Sequence, residues 1–191
     1  MPRRSLAPHE IEEARLVFGS ALDYTRVYVF EGATWTDLVD KVGAKIQKRV
    51  RGPEVHNAIT LGATSYFPIP IRTSTEYLAK GDLSHMTWLI HELTHQWQYQ
   101  IMGWRYLTDA LHIQLREGQR GYDYKRAFPS HGDALKEAKK LGQKFINFNP
   151  EQQGDIARDY YLNFKQQRDC TPWDPFIEEI QKARRLNARK P

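Results

Sequence analysis

The sequence predicts an α+β fold, a small antiparallel sheet followed by a mostly helical C-terminal part. Two observations carry this. The β-branched and aromatic runs Arg26-Val27-Tyr28-Val29-Phe30 and Ser65-Tyr66-Phe67 lie before residue 70. From residue 83 onward, apolar residues recur at helical spacing. A chain of 191 residues is long enough for one domain with a real core and short for two. Residues 1–191 are therefore read as a single domain, with 1–6 and 187–191 expected to be flexible ends.

The elements follow in order. Residues 8–19 read as a short amphipathic helix closed near Gly19, and 26–30 as a strand. Residues 36–49 carry Leu38, Val39, Val42 and Ile46 at helical spacing. Residues 57–70 read as one or two strands, broken at Gly62 and ended by Pro68 and Pro70. The longest helix is predicted over 83–102, with Asp82 or Ser84 to cap it and Gly103 to end it. Further helices are predicted at 105–117, 136–145, 149–166 and 176–186, with a Gly- and Tyr-rich loop at 118–132. Asn149-Pro150 is a strong start signal, the Asn as cap and the Pro in the first turn.

Composition narrows the class. With 40% apolar and 27% charged residues, the chain reads as an ordinary globular protein. No stretch approaches the ~20 apolar residues of a membrane helix, so no span is expected. Met-Pro-Arg-Arg at the start is followed by an amphipathic pattern and not an apolar one, so no secretory signal is expected. The expected location is the cytoplasm of the producing cell, with any export by a route that needs no such signal. The single cysteine, Cys170, cannot form an internal disulfide. The net charge of +5 comes largely from basic runs at 45–51 and 182–190. These are read as solvated helix faces and a tail in preference to a nucleic-acid surface.

Residues 91–95, His-Glu-Leu-Thr-His, match H-E-x-x-H. On a helix, residues four apart share a face, so His91 and His95 can address one ion. Glu92 falls about 100° around from His91, beside the ion, where it can take a proton from a bound water. A catalytic zinc ion takes three protein ligands and keeps one position open. The metzincin continuation is absent, because Gln98 and Ile101 stand where its Gly and His would be. The best candidate for the third ligand is Glu151. Asp155, four residues on, shares its helix face and can fix the tautomer of a ligating histidine. Gly154 would let the two helices approach closely. Asp123 is the next candidate ligand, with His112 and His131 behind it. Tyr122, Tyr124 and His131 are candidates for stabilising an oxyanion.

The run His91-Glu92-Leu93-Thr94-His95-Gln96-Trp97-Gln98-Tyr99-Gln100 resembles the zincin metallopeptidase domains found with type VI secretion spike proteins, the VgrG-related family. The likeness extends to residues 16–27, to Tyr66-Phe67-Pro68, to Tyr122-Asp123-Tyr124 and to Asn149-Pro150-Glu151-Gln152-Gln153. The motif core is also similar to the thermolysin-like gluzincins, in which a Glu-x-x-x-Asp segment supplies the third ligand. The resemblance implies a zincin-like fold with one Zn2+ on His91, His95 and Glu151 and with Glu92 as general base. It implies an edge strand near Ser65, Tyr66 and Phe67 that aligns an extended peptide by strand addition. It implies a secreted antibacterial effector or toxin, or a companion of the secretion machine, with spike components as candidate partners. The expected activity is peptide-bond hydrolysis by a zinc-bound water. The rival readings are a non-catalytic, zinc-containing adaptor of a secretion system and a nucleic-acid-associated protease.

Overall fold

The computed structural model describes residues 3–36, 58–104, 124–125 and 128–183. The helix predicted at 105–117, that at 36–49 save for Thr36, and nearly all of both basic runs lie outside these residues.

A four-stranded sheet is built from β1 (Arg4–Ser5), β2 (Tyr28–Glu31), β3 (Ile59–Leu61) and β4 (Thr64–Phe67), in the order β1-β2-β4-β3. β1 runs antiparallel to β2, and β3 antiparallel to β4. β2 and β4 are parallel, with Tyr28 opposite Thr64 and Glu31 opposite Phe67. The sheet is therefore mixed and not purely antiparallel as predicted. The reason lies in how the β3–β4 hairpin docks: its second strand, β4, pairs with β2, and its first strand, β3, lies outside it, so β2 and β4 run the same way. β3 and β4 form a hairpin turned at Gly62, whose φ of +61° suits a residue without Cβ. Among the described residues β3 is an edge strand and β4 an inner one. The strand of Ser65, Tyr66 and Phe67 is thus not the edge that the sequence suggested, and Ser65 and Phe67 are fully buried.

Six helices are described: α1 (Pro8–Phe18), α2 (Thr75–Ala79), α3 (Ser84–Met102), α4 (His131–Lys140), α5 (Pro150–Lys165) and α6 (Asp174–Lys182). α3 begins where Asp82 Oδ1 accepts a hydrogen bond from Ser84 N at 3.2 Å, and ends at Gly103. α5 begins at a reciprocal cap. Asn149 Oδ1 accepts from Gln152 N at 2.8 Å, and Gln152 Oε1 from Asn149 N at 3.4 Å. α4 starts and stops about five residues before the predicted 136–145. Ser130 caps it through Asp133 N, and the chain turns at Gly142 with φ +72°. α6 also starts and ends earlier than predicted.

α3 lies between the sheet and α5 and packs on both. Met86, Leu89, Ile90 and Leu93 of α3 are fully buried, with Val17 and Phe18 of α1, Ile156 and Tyr161 of α5, and Phe176 and Ile180 of α6. Because α3 is covered on two sides, its polar residues are buried too, and most of them find a partner, Gln96 Oε1 and Trp97 Nε1 being exceptions. Among the described residues, no helix is long and apolar enough to cross a membrane.

Candidate metal centre

The two covered faces of α3 carry different polar sets. His91, His95 and Gln98 meet α5, while Glu92 and Gln96 meet the sheet. This follows from helical periodicity, since each set repeats at intervals of three or four.

Toward α5, three side-chain atoms converge. His91 Nε2 lies 3.3 Å from His95 Nε2 and 3.3 Å from Glu151 Oε2, and His95 Nε2 lies 3.6 Å from Glu151 Oε2. The far nitrogens are committed elsewhere. His91 Nδ1 donates to Asp155 Oδ1 at 2.9 Å, because an ionised carboxylate can only accept. Gln98 donates its amide Nε2 to Pro150 O and Gln153 Oε1, both at 3.0 Å. That orientation turns Gln98 Oε1 toward His95 Nδ1, which donates to it at 2.9 Å. Each imidazole therefore places the proton of its neutral form on Nδ1 and aims Nε2 at the carboxylate of Glu151.

Three electron-pair donors this close require a positive centre among them. The electrostatics agree. Burial pulls the His91 pKa down, but hydrogen bonds to Asp155 and Glu151 outweigh it and push it up to about 10. Burial acts likewise on His95, and the charge of Glu151 prevails and raises it. Burial would raise Glu151, but the two imidazoles hold it well below the usual carboxylate range. Glu151 also sits in the first turn of α5, where the helix dipole favours an anion. The site attracts cations, and its donors, two imidazoles and a carboxylate, suit a metal. Among the described residues, His91, His95 and Glu151 form a group able to hold one.

The approach of the helices depends on Gly154. A Cβ there would stand 2.7 Å from His91 Cε1 and 2.8 Å from His91 Nδ1. Glu92 is held from the sheet, where Thr60 Oγ1 donates to its Oε2 at 2.7 Å, and its charge contributes to raising His95.

The chain is 30% identical over 159 residues to the type VI secretion system spike protein VgrG2b of Pseudomonas aeruginosa. The match takes in 83% of this chain and spans only 13% of the length of that relative. No protein-family model and no solved structure matches the chain.

The remaining candidates are distributed as follows. Tyr122, Asp123 and His112 lie outside the described residues. The Tyr124 hydroxyl is buried, donating to Asp159 Oδ2 at 2.8 Å and accepting from Trp173 Nε1 at 3.1 Å. Its proton is thereby engaged by Asp159. Arg158 extends this network, reaching Asp155 Oδ1 at 2.6 Å and Asp159 Oδ1 at 2.9 Å. Hydrogen bonds and ion pairs thus run from His91 through Asp155, Arg158 and Asp159 to Tyr124. The His131 ring lies tilted against Tyr124, centroids 4.6 Å apart, with Nδ1 3.5 Å from Asp159 Oδ2. Sequence reasoning missed Gln98, Gln153, Arg158 and Thr60 as parts of the site. Gln98 had a usable signal, its position three residues after His95 on the same face. Thr60 had none, being 32 residues from Glu92.

Proposed function

We propose that this chain is a zinc-dependent metallopeptidase of the zincin class that acts as an effector in type VI secretion. The observation that carries the proposal is the convergence of His91 Nε2, His95 Nε2 and Glu151 Oε2 at 3.3, 3.3 and 3.6 Å. Zinc bonds of about 2.0–2.2 Å in a tetrahedral set put ligand atoms roughly 3.3–3.6 Å apart, so the spacing supports zinc. Three protein ligands rather than four, among the described residues, support a catalytic ion. When bound, zinc supplies an acidified water and polarises the peptide carbonyl. Glu92 takes the proton of the attacking water on its carboxylate and returns it to the departing amide nitrogen. Asp155 and Gln98 hold the two imidazoles in the tautomer that leaves Nε2 unprotonated. The substrate is a peptide or protein.

The likeness to VgrG2b supports the secretion part of the reading. Contact with spike components, and delivery to a target cell, are proposed on that likeness.

The test is metal analysis with proteolysis. Wild type should carry one zinc ion and cleave a peptide library. Glu92→Gln should keep the zinc and lose cleavage by about a thousandfold or more. Full activity in that variant would refute the scheme. Glu151→Ala should lose most of the zinc, and unchanged zinc content would transfer the third ligand to Asp123.

A further inference from the structure

Glu92 is tied to the sheet by a chain of hydrogen bonds whose direction can be read. Gln96 Nε2 donates to Tyr28 O at 3.0 Å and to Ser65 Oγ at 2.7 Å. The carbonyl of Tyr28 can only accept, which fixes the orientation of the Gln96 amide. At the other end, Thr60 Oγ1 stands 2.7 Å from Glu92 Oε2. An ionised carboxylate accepts, so the Thr60 proton goes to it. The same oxygen lies 3.3 Å from the Glu92 carbonyl, a weaker acceptor position. Thr60 Oγ1 and Ser65 Oγ are 2.7 Å apart. With the Thr60 proton spent on Glu92, Ser65 must donate to Thr60. The sequence of donors is therefore Gln96, Ser65, Thr60, ending on one carboxylate oxygen. All four side chains are buried, Ser65 and Gln96 completely.

We propose that Thr60 is a positioning residue that fixes the rotamer of Glu92 by binding Oε2, so that Oε1 is presented to the attacking water. The proposal rests on the reading of Glu92 as general base. Burial and a charged acceptor make the Thr60 bond one of the stronger kind. Ser65 and Gln96 set its direction, and the anchor is backbone, Tyr28 O of β2. The base is thus placed by the β3–β4 hairpin, an element separate from the two helices that carry the metal ligands. A base held loosely would still meet the water, but less often in the reactive geometry.

The test uses the full chain loaded with zinc and the fluorogenic peptide that wild type cleaves best. Thr60→Val keeps the shape and removes the hydroxyl. We expect kcat to fall about tenfold to a hundredfold, with KM and zinc content unchanged. Thr60→Ser should restore kcat to within a few-fold. In a Glu92→Gln background, Thr60→Val should add nothing. A bond that merely fastens the hairpin would lower the melting temperature and leave the kcat of the folded protein alone. That result, or loss of zinc from Thr60→Val, overturns the proposal. Should Thr60→Val fail to fold, Ser65→Ala decides. A kcat several-fold below wild type supports the relay, and an unchanged kcat overturns it. Failure of the function itself looks different. If wild type cleaves nothing, or Glu92→Gln cleaves normally, the general-base reading falls and the Thr60 proposal falls with it. If only Thr60→Val and Ser65→Ala are normal, the metallopeptidase stands and the positioning role alone is lost.

Discussion

At Gly154 two effects of opposite sign compete. Alanine in a helix interior is favoured over glycine by about 1 kcal/mol. Against this, a Cβ would meet the His91 ring at 2.7–2.9 Å. That ring cannot swing aside, because Asp155 holds Nδ1 at 2.9 Å and the other nitrogen faces Glu151. Overpacking of this kind costs about 1–3 kcal/mol, so the clash should win. Gly154→Ala is expected to lower stability by about 1 kcal/mol or more in urea denaturation. It should also weaken zinc about tenfold or more in a competition titration with a chromogenic chelator, since α5 must retreat with Glu151. Wild-type zinc affinity in that variant would show that the two helices can part without cost to the site.

For the elements, the decisive one is α5, which delivers Glu151, Gln153, Gly154, Asp155, Arg158 and Asp159 within three turns. Its register on α3 is set by its first residues. Asn149→Ala removes the cap two residues before Glu151 and should cost about 1 kcal/mol. Measured by thermal denaturation, the loss should be greater in zinc-free than in zinc-loaded protein, because zinc itself pins the first turn. Equal losses would mean that the cap does not help to hold the ligand. This helix was also the most legible part of the fold. Asn149-Pro150 marked its start, and the four-residue spacing of Glu151 and Asp155 marked its working face. α3 was legible for the same reason: caps and periodicity are local. The direction of β4 was not. Alternation tells which residues form a strand, while a parallel or antiparallel partner is chosen by tertiary docking, here of the β3–β4 hairpin on β2 through its second strand. The five-residue α2 and the two-residue β1 are too short for any period to show. Thr60 escaped for a related reason. Its role depends on what faces it across a tertiary contact, Glu92, whereas Gln98, three residues after His95 on the same face, was locally legible.

The whole molecule should register the state of the site through pH. Without an ion, protons supply the positive charge that the three donors require. His91 holds its proton up to about 10, against an ordinary 6.5. Across that window the folded protein binds more protons than the unfolded chain, so stability falls as pH rises. Glu151 acts in the opposite sense. Held below its ordinary 4.5, it contributes stability above that pH, and the contribution is lost as the carboxylate is protonated in more acid solution. The zinc-free protein should therefore be most stable between about pH 4.5 and 6.5, with a melting temperature that declines on both sides. Zinc competes with the proton that His91 would carry on Nε2, and bound zinc makes that proton unnecessary. The gap in melting temperature between zinc-loaded and chelator-treated protein should then widen steadily from pH 6.5 toward 10, and narrow toward pH 4. Scanning both forms over this range measures the gap directly. A gap that does not grow with pH would mean that the imidazoles are not where the stabilising cation binds. The donor geometry at His91, His95 and Glu151 would then be a hydrogen-bonded cluster instead of a metal site.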